Sequence, residues 1–106
     1  YIFKMGDSNR AEWVRLLEEE SAETRKEMGK IMDQNLKILE QNQILEQTQA
    51  ILEQHPTKQN QAILECNRTI LECNRTIAET NSQNLEILRK QDENCAQLVD
   101  AILSKY

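Results

Sequence analysis

Three cysteines carry the most reactive side chains of this sequence. Cys66 and Cys73 lie in two identical copies of the unit ILECNRT, at residues 63–69 and 70–76, and Cys95 follows further along. Seven residues of helix rise about 10.5 Å, whereas a disulfide needs Cα atoms within about 7 Å. The two repeat cysteines therefore cannot bridge within one helix. We expect cysteine to serve as a small buried apolar residue in a reducing cytosol, with an interchain disulfide between copies as the alternative.

Other groups that could do chemistry are sparse. His55 is the single histidine and stands directly before Pro56, and together with three widely spaced thiols it matches no compact zinc-ligand spacing. No Ser or Cys nucleophile motif, Gly-rich phosphate loop or clustered carboxylate site accompanies His55. We therefore predict a protein that is not an enzyme and binds neither metal nor cofactor.

Two sequons, NRT at 67–69 and NRT at 74–76, would allow glycosylation of Asn67 and Asn74. A glycan could not occupy the seam of a helical pair, and free thiols favour the cytosol. The sequons are therefore interpreted as by-products of the duplicated unit, an interpretation that secretion would overturn.

Composition predicts an all-α fold. The 106 residues are 39% hydrophobic but only 4% aromatic, with two glycines and one proline, and Gln, Asn, Glu, Leu and Ile dominate. The net charge is −5, with acids and bases interspersed, so no basic face is available for nucleic acid or a membrane surface. No apolar run approaches about 18 residues, and no secretory signal is visible, so we predict an intracellular, cytoplasmic protein. Because the chain begins at Tyr1, a processed product or a fragment is expected.

The pattern of helix signals divides the chain into four segments. A tail at 1–7 precedes a first coiled-coil helix at 8–54, with Asp7, Ser8 or Asn9 as the N-cap. Pro56 lacks a backbone N–H and would cost about 3 kcal/mol inside a helix, so it marks a break or kink at 55–58. A second coiled-coil helix is predicted at 59–106.

A heptad repeat runs through both predicted helices, with polar amides at position a and Ile or Leu at position d. A frame shifted by one residue would instead place Ile63 with Cys66 and Ile70 with Cys73 at a and d, and in either frame the isoleucines are expected at the centre. Position e adds apolar residues, so the stripe is wider than the seam of a minimal dimer. The predicted oligomer interface comprises Ile31, Ile38, Leu45, Leu52, Ile63, Leu64, Ile70, Leu71, Ile77, Leu85, Leu88, Cys95, Leu98, Val99 and Ile102. The predicted polar layers that specify register, or alternatively lie at a wet margin, are Asn35, Asn42, Asn60, Asn67, Asn74 and Asn81.

Two architectures fit these helices. Segments of nearly equal length around Pro56 favour an antiparallel hairpin. A kinked rod is the other possibility, because Leu52 and Ile63 are eleven residues apart, a stutter that keeps the apolar stripe on one face. The absence of a glycine from the turn also counts against the hairpin, and the balance favours the rod.

Self-association is the function that this pattern favours. We expect a homo-oligomer with three or more helices in the bundle, acting as a structural, oligomerisation or scaffold element. The alternatives are a binding adaptor that docks on another protein, including through residues 1–17 with Trp13, and a subunit fragment of a helical filament.

Overall fold

A computed structural model describes residues 6–104 of this chain, which form two long α-helices and no strand. Helix α1 spans Asp7–Glu53 and helix α2 spans Lys58–Ser104. The all-α fold is therefore confirmed. Compared with the predicted 8–54 and 59–106, α1 begins and ends one residue earlier and α2 begins one residue earlier, and residues 105–106 of the second prediction lie outside the described residues. The apolar start of the tail, residues 1–5, lies outside the described residues.

Helix α1 begins one residue earlier than the sequence indicates. The Gly6 carbonyl accepts the first intrahelical hydrogen bond, from the Arg10 N–H at 3.0 Å, so Gly6 is the N-cap. The three predicted candidates follow it and lie in the first turn. Asp7 forms an ion pair with Arg10 there, where a carboxylate is also favourable to the helix dipole.

The end of α1 tightens before Pro56. The N–H groups of Gln54 and His55 donate to carbonyls three residues back, at Ile51 and Leu52, both at 3.2 Å. Such bonds satisfy carbonyls at a helix end without a left-handed residue, and no residue described here has a positive φ. A glycine terminator is therefore unnecessary, which removes the sequence argument against a turn at this place.

The four-residue turn at 54–57 is closed by side chains as well as by backbone. The Thr57 N–H donates to the His55 carbonyl at 2.9 Å, spanning Pro56, and the Thr57 hydroxyl accepts from the Asn60 N–H at 3.1 Å. Thr57 is thus the N-cap of α2. The Asn60 side-chain amide donates back to the His55 carbonyl at 2.6 Å, so both helix ends are bonded to the same short turn.

The described chain divides into two compact units, one of which is Ile31–Gln83. In this unit the Asn74 side chain binds Asn42 and the Asn81 side chain binds Asn35. A step of seven residues forward on α2 matches a step of seven backward on α1, so the helices run antiparallel. The unit is a helical hairpin around the 54–57 turn, and the kinked rod is not formed. The eleven-residue spacing across Pro56 therefore reflects heptads on two separate helices.

The second unit combines the residues before Ile31 with those after Gln83. Leu103 lines a groove with Ala11 and Val14, whereas Asp92 bonds to Ser21, so residue numbers again rise on one helix as they fall on the other. This unit is also an antiparallel helical pair. Ile102, with 1% of its surface exposed, is buried within it.

Candidate interaction surface

Two layers of side-chain amides define the seam of the Ile31–Gln83 unit. The Asn74 Nδ2 atom donates to both Gln41 Oε1 and Asn42 Oδ1, each at 2.8 Å. Seven residues later, Asn81 Nδ2 donates to Gln34 Oε1 at 3.0 Å and to Asn35 Oδ1 at 2.8 Å. The repeated geometry satisfies both buried α2 amides through Nδ2, as buried polar groups require.

The register of these layers places Leu71 across from Leu45 and Leu64 across from Leu52, so apolar and polar layers alternate. On α1 the inward positions are the predicted a and d. On α2 they are a and e, because Leu64 is 8% exposed whereas its neighbour Ile63 is 40% exposed. The expectation that the isoleucines form the centre is therefore wrong for the seam within the hairpin.

The predicted interface residues fall into three burial groups. Three are buried, namely Leu64, Cys95 and Ile102. Eight are half-buried, namely Ile31, Ile38, Leu45, Leu52, Leu71, Leu85, Leu88 and Val99. Four are exposed, namely Ile63, Ile70, Ile77 and Leu98. Of the predicted polar layers, Asn67, Asn74 and Asn81 are buried, and Asn35, Asn42 and Asn60 are half-buried. Contact of these residues with another copy stays a prediction.

A second apolar stripe runs along α2 directly beside the seam. We call Ile63, Cys66, Ile70, Cys73 and Ile77 the isoleucine–cysteine stripe. Each of its residues immediately precedes a seam residue, so the stripe has the same alternating spacing of three and four that a coiled-coil seam has. All five side chains are exposed. The stripe is therefore a complete coiled-coil seam for which the described chain supplies no partner helix.

Helix α1 extends the stripe on the same side of the hairpin. In an antiparallel pair, residues that immediately precede seam positions on either helix lie on one common side. On α1 these include Ile44 and Ile51, which are 63% and 62% exposed, together with the uncharged Gln41 and Thr48. The face therefore spans both helices of this unit. It is apolar along the stripe of α2 and at Ile44 and Ile51 of α1, whereas Lys37, which precedes Ile38, places a positive charge on the same side.

Charge separates the two sides of α2 in this unit. The residues that follow the seam positions from Leu64 to Ala78 are all charged, whereas those that precede the same positions form the uncharged stripe. The charged set is Glu65, Arg68, Glu72, Arg75 and Glu79. Interface cores are depleted of charged residues relative to the remaining surface. The stripe, and not the charged side, thus has the composition of a buried contact.

An open groove of about 620 Å³ lies beside the seam of the same unit, lined by residues that include Ala78, Asn42, Glu46 and Arg75. Ala78 is the smallest inward residue of this stretch of α2, which leaves room at its layer. The groove is open to solvent and is flanked by charges, unlike the apolar concave pockets in which small ligands are usually held.

The second unit contains a polar layer that sequence reasoning missed. The Ser21 hydroxyl donates to Asp92 Oδ1, and Arg25 Nε lies 3.8 Å from the same oxygen, beside the buried Thr24. The available signal was that Asp92 is the one acid at position e of α2, where Leu64, Leu71, Ala78, Leu85 and Val99 otherwise stand. The amides of Gln34 and Gln41 were also missed, although these residues are seven positions apart and each immediately precedes a predicted Asn.

Ion pairs on both helices of the second unit involve arginine between two glutamates. Arg15 donates to Glu12 and, at 2.6 Å, to Glu19; Arg89 donates to Glu86, with Nε at 3.0 Å, and to Glu93. The hydrogen bonds from arginine lower the pKa of Glu12 and of Glu86. These groups are about half exposed to solvent, so they support the helices locally and are screened by salt.

An apolar patch in the second unit surrounds the single tryptophan. Trp13 is 51% exposed, and Leu16 on the same helix is 43% exposed. Both residues immediately precede half-buried residues of α1, Val14 and Leu17. Leu98 of α2, also 43% exposed, precedes the half-buried Val99 and therefore lies on the same side of this antiparallel pair. Exposed tryptophan beside aliphatic side chains is typical of binding hot spots.

The structure shows which of the thiols and which of the sequon asparagines are exposed. Cys66 and Cys73 are exposed, which corrects the expectation that they are buried, and Cys95 is buried as expected. Asn67 and Asn74 are 8% and 7% exposed, and the Asn74 amide is bonded within the seam. A glycan on Asn74 is therefore incompatible with this hairpin.

Within residues 6–104, no three His, Cys, Asp or Glu side chains are grouped so that they could hold a metal ion. No helix in the same range combines the length and apolar character needed to cross a membrane. Comparison with protein-family models, curated proteins and solved structures found no significant match to this chain. Its function must therefore be argued from the surfaces themselves.

Proposed function

We propose that this chain is a non-enzymatic self-association module, in which the isoleucine–cysteine stripe joins the hairpins of two copies into a bundle of four helices. The module would act as a structural, oligomerisation or scaffold element. The observation that carries the proposal is a coiled-coil seam left exposed on α2, directly beside the seam that closes the hairpin.

The composition of the hairpin seam supports this assignment. Asparagine occupies three of the six inward α2 positions from Leu64 to Asn81, whereas three isoleucines remain outside. Two-helix pairs bury little apolar surface, and helical stability in proteins comes mainly from packing an apolar face. A second copy would cover the stripe and supply the missing core.

The expected strength of association follows from the exposed fraction of the isoleucines. Full burial of an Ile side chain contributes about 1.5–3 kcal/mol, so covering the roughly 40% still exposed on Ile63, Ile70 and Ile77 contributes about 0.6–1.2 kcal/mol each. Six such residues in two copies contribute about 4–7 kcal/mol. Association itself costs at least about 4 kcal/mol. The assembly should therefore be concentration-dependent, with added contributions from Ile44, Ile51 and the thiols.

The decisive experiment replaces Ile63, Ile70 and Ile77 together with Asp and measures mass by sedimentation equilibrium over a range of concentrations. We expect the unmodified chain to exceed its monomer mass of 12.4 kDa as concentration rises, and the variant to remain monomeric. Each Asp would place an unpaired charge in the contact.

A matched control carries three Asp substitutions at Met32, Leu36 and Leu39, which are 50%, 57% and 55% exposed and follow seam positions on the other side of the hairpin. The control should associate as the unmodified chain does, and far-UV circular dichroism should show helix in both variants. Loss of association in the control alone would show that the interface lies on α1. A monomeric unmodified chain at all concentrations would contradict self-association.

A binding adaptor is the second candidate, and the Trp13 patch favours it. In this case a different protein would dock on Trp13, Leu16 and Leu98, and the free chain would be a monomer that awaits its partner. For either function we infer a reducing intracellular location, because exposed free thiols such as Cys66 and Cys73 persist where disulfides are kept reduced.

A further inference from the structure

We propose that two copies pair through the isoleucine–cysteine stripe in parallel and in register, and that Cys66 and Cys73 then each form a disulfide with the same cysteine of the second copy under oxidising conditions. This inference rests on the proposed self-association and names its geometry and its regulation. The stripe would thus be both the contact and a redox-sensitive lock on that contact.

The two exposed thiols are placed where a disulfide can form only between chains. Cys66 and Cys73 are exposed members of the apolar face, and each is flanked along the stripe by isoleucines three or four residues away. They lie too far apart on α2 to bridge each other within one chain. Cys95 is buried in the other unit and is therefore shielded. Any disulfide made by the exposed pair in the folded protein must be intermolecular.

The residue types along the stripe favour parallel pairing. In its own heptad frame the stripe has isoleucine at a and cysteine at d, and β-branched residues at a favour two strands once the helices are parallel. In a parallel, in-register pair each layer meets itself, so sulfur faces sulfur twice. In an antiparallel pair a positions face d positions, which would set each cysteine opposite an isoleucine. Only the parallel arrangement brings like cysteines within disulfide range.

The flanking residues allow this pairing without electrostatic cost. Ala62, Thr69 and Thr76 border the stripe on one side, and buried asparagines of the hairpin seam border it on the other. In a parallel pair related by a twofold axis along the helices, each residue lies near its own copy. Charged residues at the border of the stripe would therefore place like charges next to each other. An uncharged border is therefore the composition that a parallel contact between identical chains requires.

The oxidation step needs an electron acceptor, for which a small-molecule disulfide such as oxidised glutathione is sufficient. The Cys66 thiolate attacks one sulfur of that disulfide and releases one glutathione thiolate. The thiolate of Cys66 in the second copy then attacks the Cys66 sulfur, forms the protein disulfide and releases the second glutathione. Two protein thiols have lost two protons and two electrons, and the oxidant has become two thiols. Excess reduced glutathione reverses both steps.

The test incubates the full chain with mixtures of oxidised and reduced glutathione, blocks free thiols and maps disulfides by mass spectrometry after trypsin digestion. Cleavage after Lys58, Arg68, Arg75, Lys90 and Lys105 separates the cysteines into peptides 59–68, 69–75 and 91–105. We expect a covalent dimer with Cys66–Cys66 and Cys73–Cys73 links. These should exceed the mixed Cys66–Cys73 link by about tenfold, because only like cysteines meet the distance limit.

Variants make each outcome informative. Cys66→Ser and Cys73→Ser should each keep the other like-with-like link, the double variant should give no covalent dimer, and the triple Ile→Asp variant should lose the crosslink because the contact is gone. A mixed link as abundant as the like links would indicate antiparallel, slipped or random pairing and would overturn the proposal. A reversible dimer that never crosslinks would also overturn it while leaving self-association intact. A monomer by sedimentation would overturn both.

Discussion

The amide layer formed by Asn42 and Asn74 offers a quantitative test of the hairpin register. The Asn74 amide donates two hydrogen bonds of 2.8 Å, to Gln41 and Asn42. A typical intramolecular hydrogen bond contributes about 0.5–1.5 kcal/mol net. Gln41 is exposed and its oxygen can return to water, so most of the loss after Asn74→Ala concerns the half-buried Asn42. Alanine recovers about 0.5 kcal/mol of helix propensity, and we expect a net destabilisation of at most about 1 kcal/mol.

A double-mutant cycle removes the propensity contribution. Asn42→Ala, Asn74→Ala and the double variant should show a coupling energy of about 1 kcal/mol, because the bond between these two residues is lost once and not twice. The matched control is the cycle of Asn42 with Asn81, which lies in the next amide layer, beyond the Ala78 layer, and binds Asn35 instead. Its coupling should fall below about 0.5 kcal/mol, as expected for separated sites without shared partners.

The free energies should be measured by urea unfolding, followed by circular dichroism, in the background with Asp at Ile63, Ile70 and Ile77. That background removes the expected self-association, which would otherwise make stability depend on protein concentration. Equal coupling in the two cycles, or none between Asn42 and Asn74, would refute the antiparallel register. Such a result would instead favour asparagines that meet their own copies in another assembly.

Two further substitutions test local features of the helices by the same unfolding assay. Gly29→Ala should raise the free energy of unfolding by about 0.5–1 kcal/mol, because Gly29 is inside α1 and an added Cβ would meet no atom within 4 Å; no gain would mean that this part of α1 is not a regular helix. Thr57→Ala should lower it by about 1 kcal/mol through loss of the α2 cap, whereas Thr57→Ser should retain most of the stability. Equal losses in the two Thr57 variants would exclude the hydroxyl as the cap.

The helices and the break between them could be predicted from sequence because their causes are local. Pro56 cannot continue a helix, and straight-chain residues on either side favour helix for many turns. The choice between rod and hairpin could not be made in this way, because a heptad pattern looks the same whether the partner helix is distant or follows a tight turn. A local signal was nevertheless present: Thr57 followed by Asn60 is the side-chain pair that caps α2 and holds the His55 carbonyl.

Periodicity alone also could not predict which face of α2 is inward. Ile63 and Leu64 are adjacent and apolar, and each continues a series with spacing of three and four. Either series could therefore fill a seam. The partner helix decides between them, because Gln41 and Asn42 present amide oxygens that accept hydrogen bonds from Asn74. Information of this kind lies in the pairing of two helices and not in the period of one.

The asparagine layers therefore determine which face of α2 is buried, and the turn determines the register. The two repeats are identical, so a slip of seven residues would again place asparagine opposite asparagine, and only the four-residue turn closed by Thr57 forbids it. Rotating α2 by one residue is a different error, because it would bury isoleucine and cysteine in place of leucine and asparagine. That rotation would break four amide hydrogen bonds in the Asn74 and Asn81 layers, at about 1 kcal/mol each. The polar layers thereby keep Leu64 inside and the isoleucines outside, where a second copy can reach them.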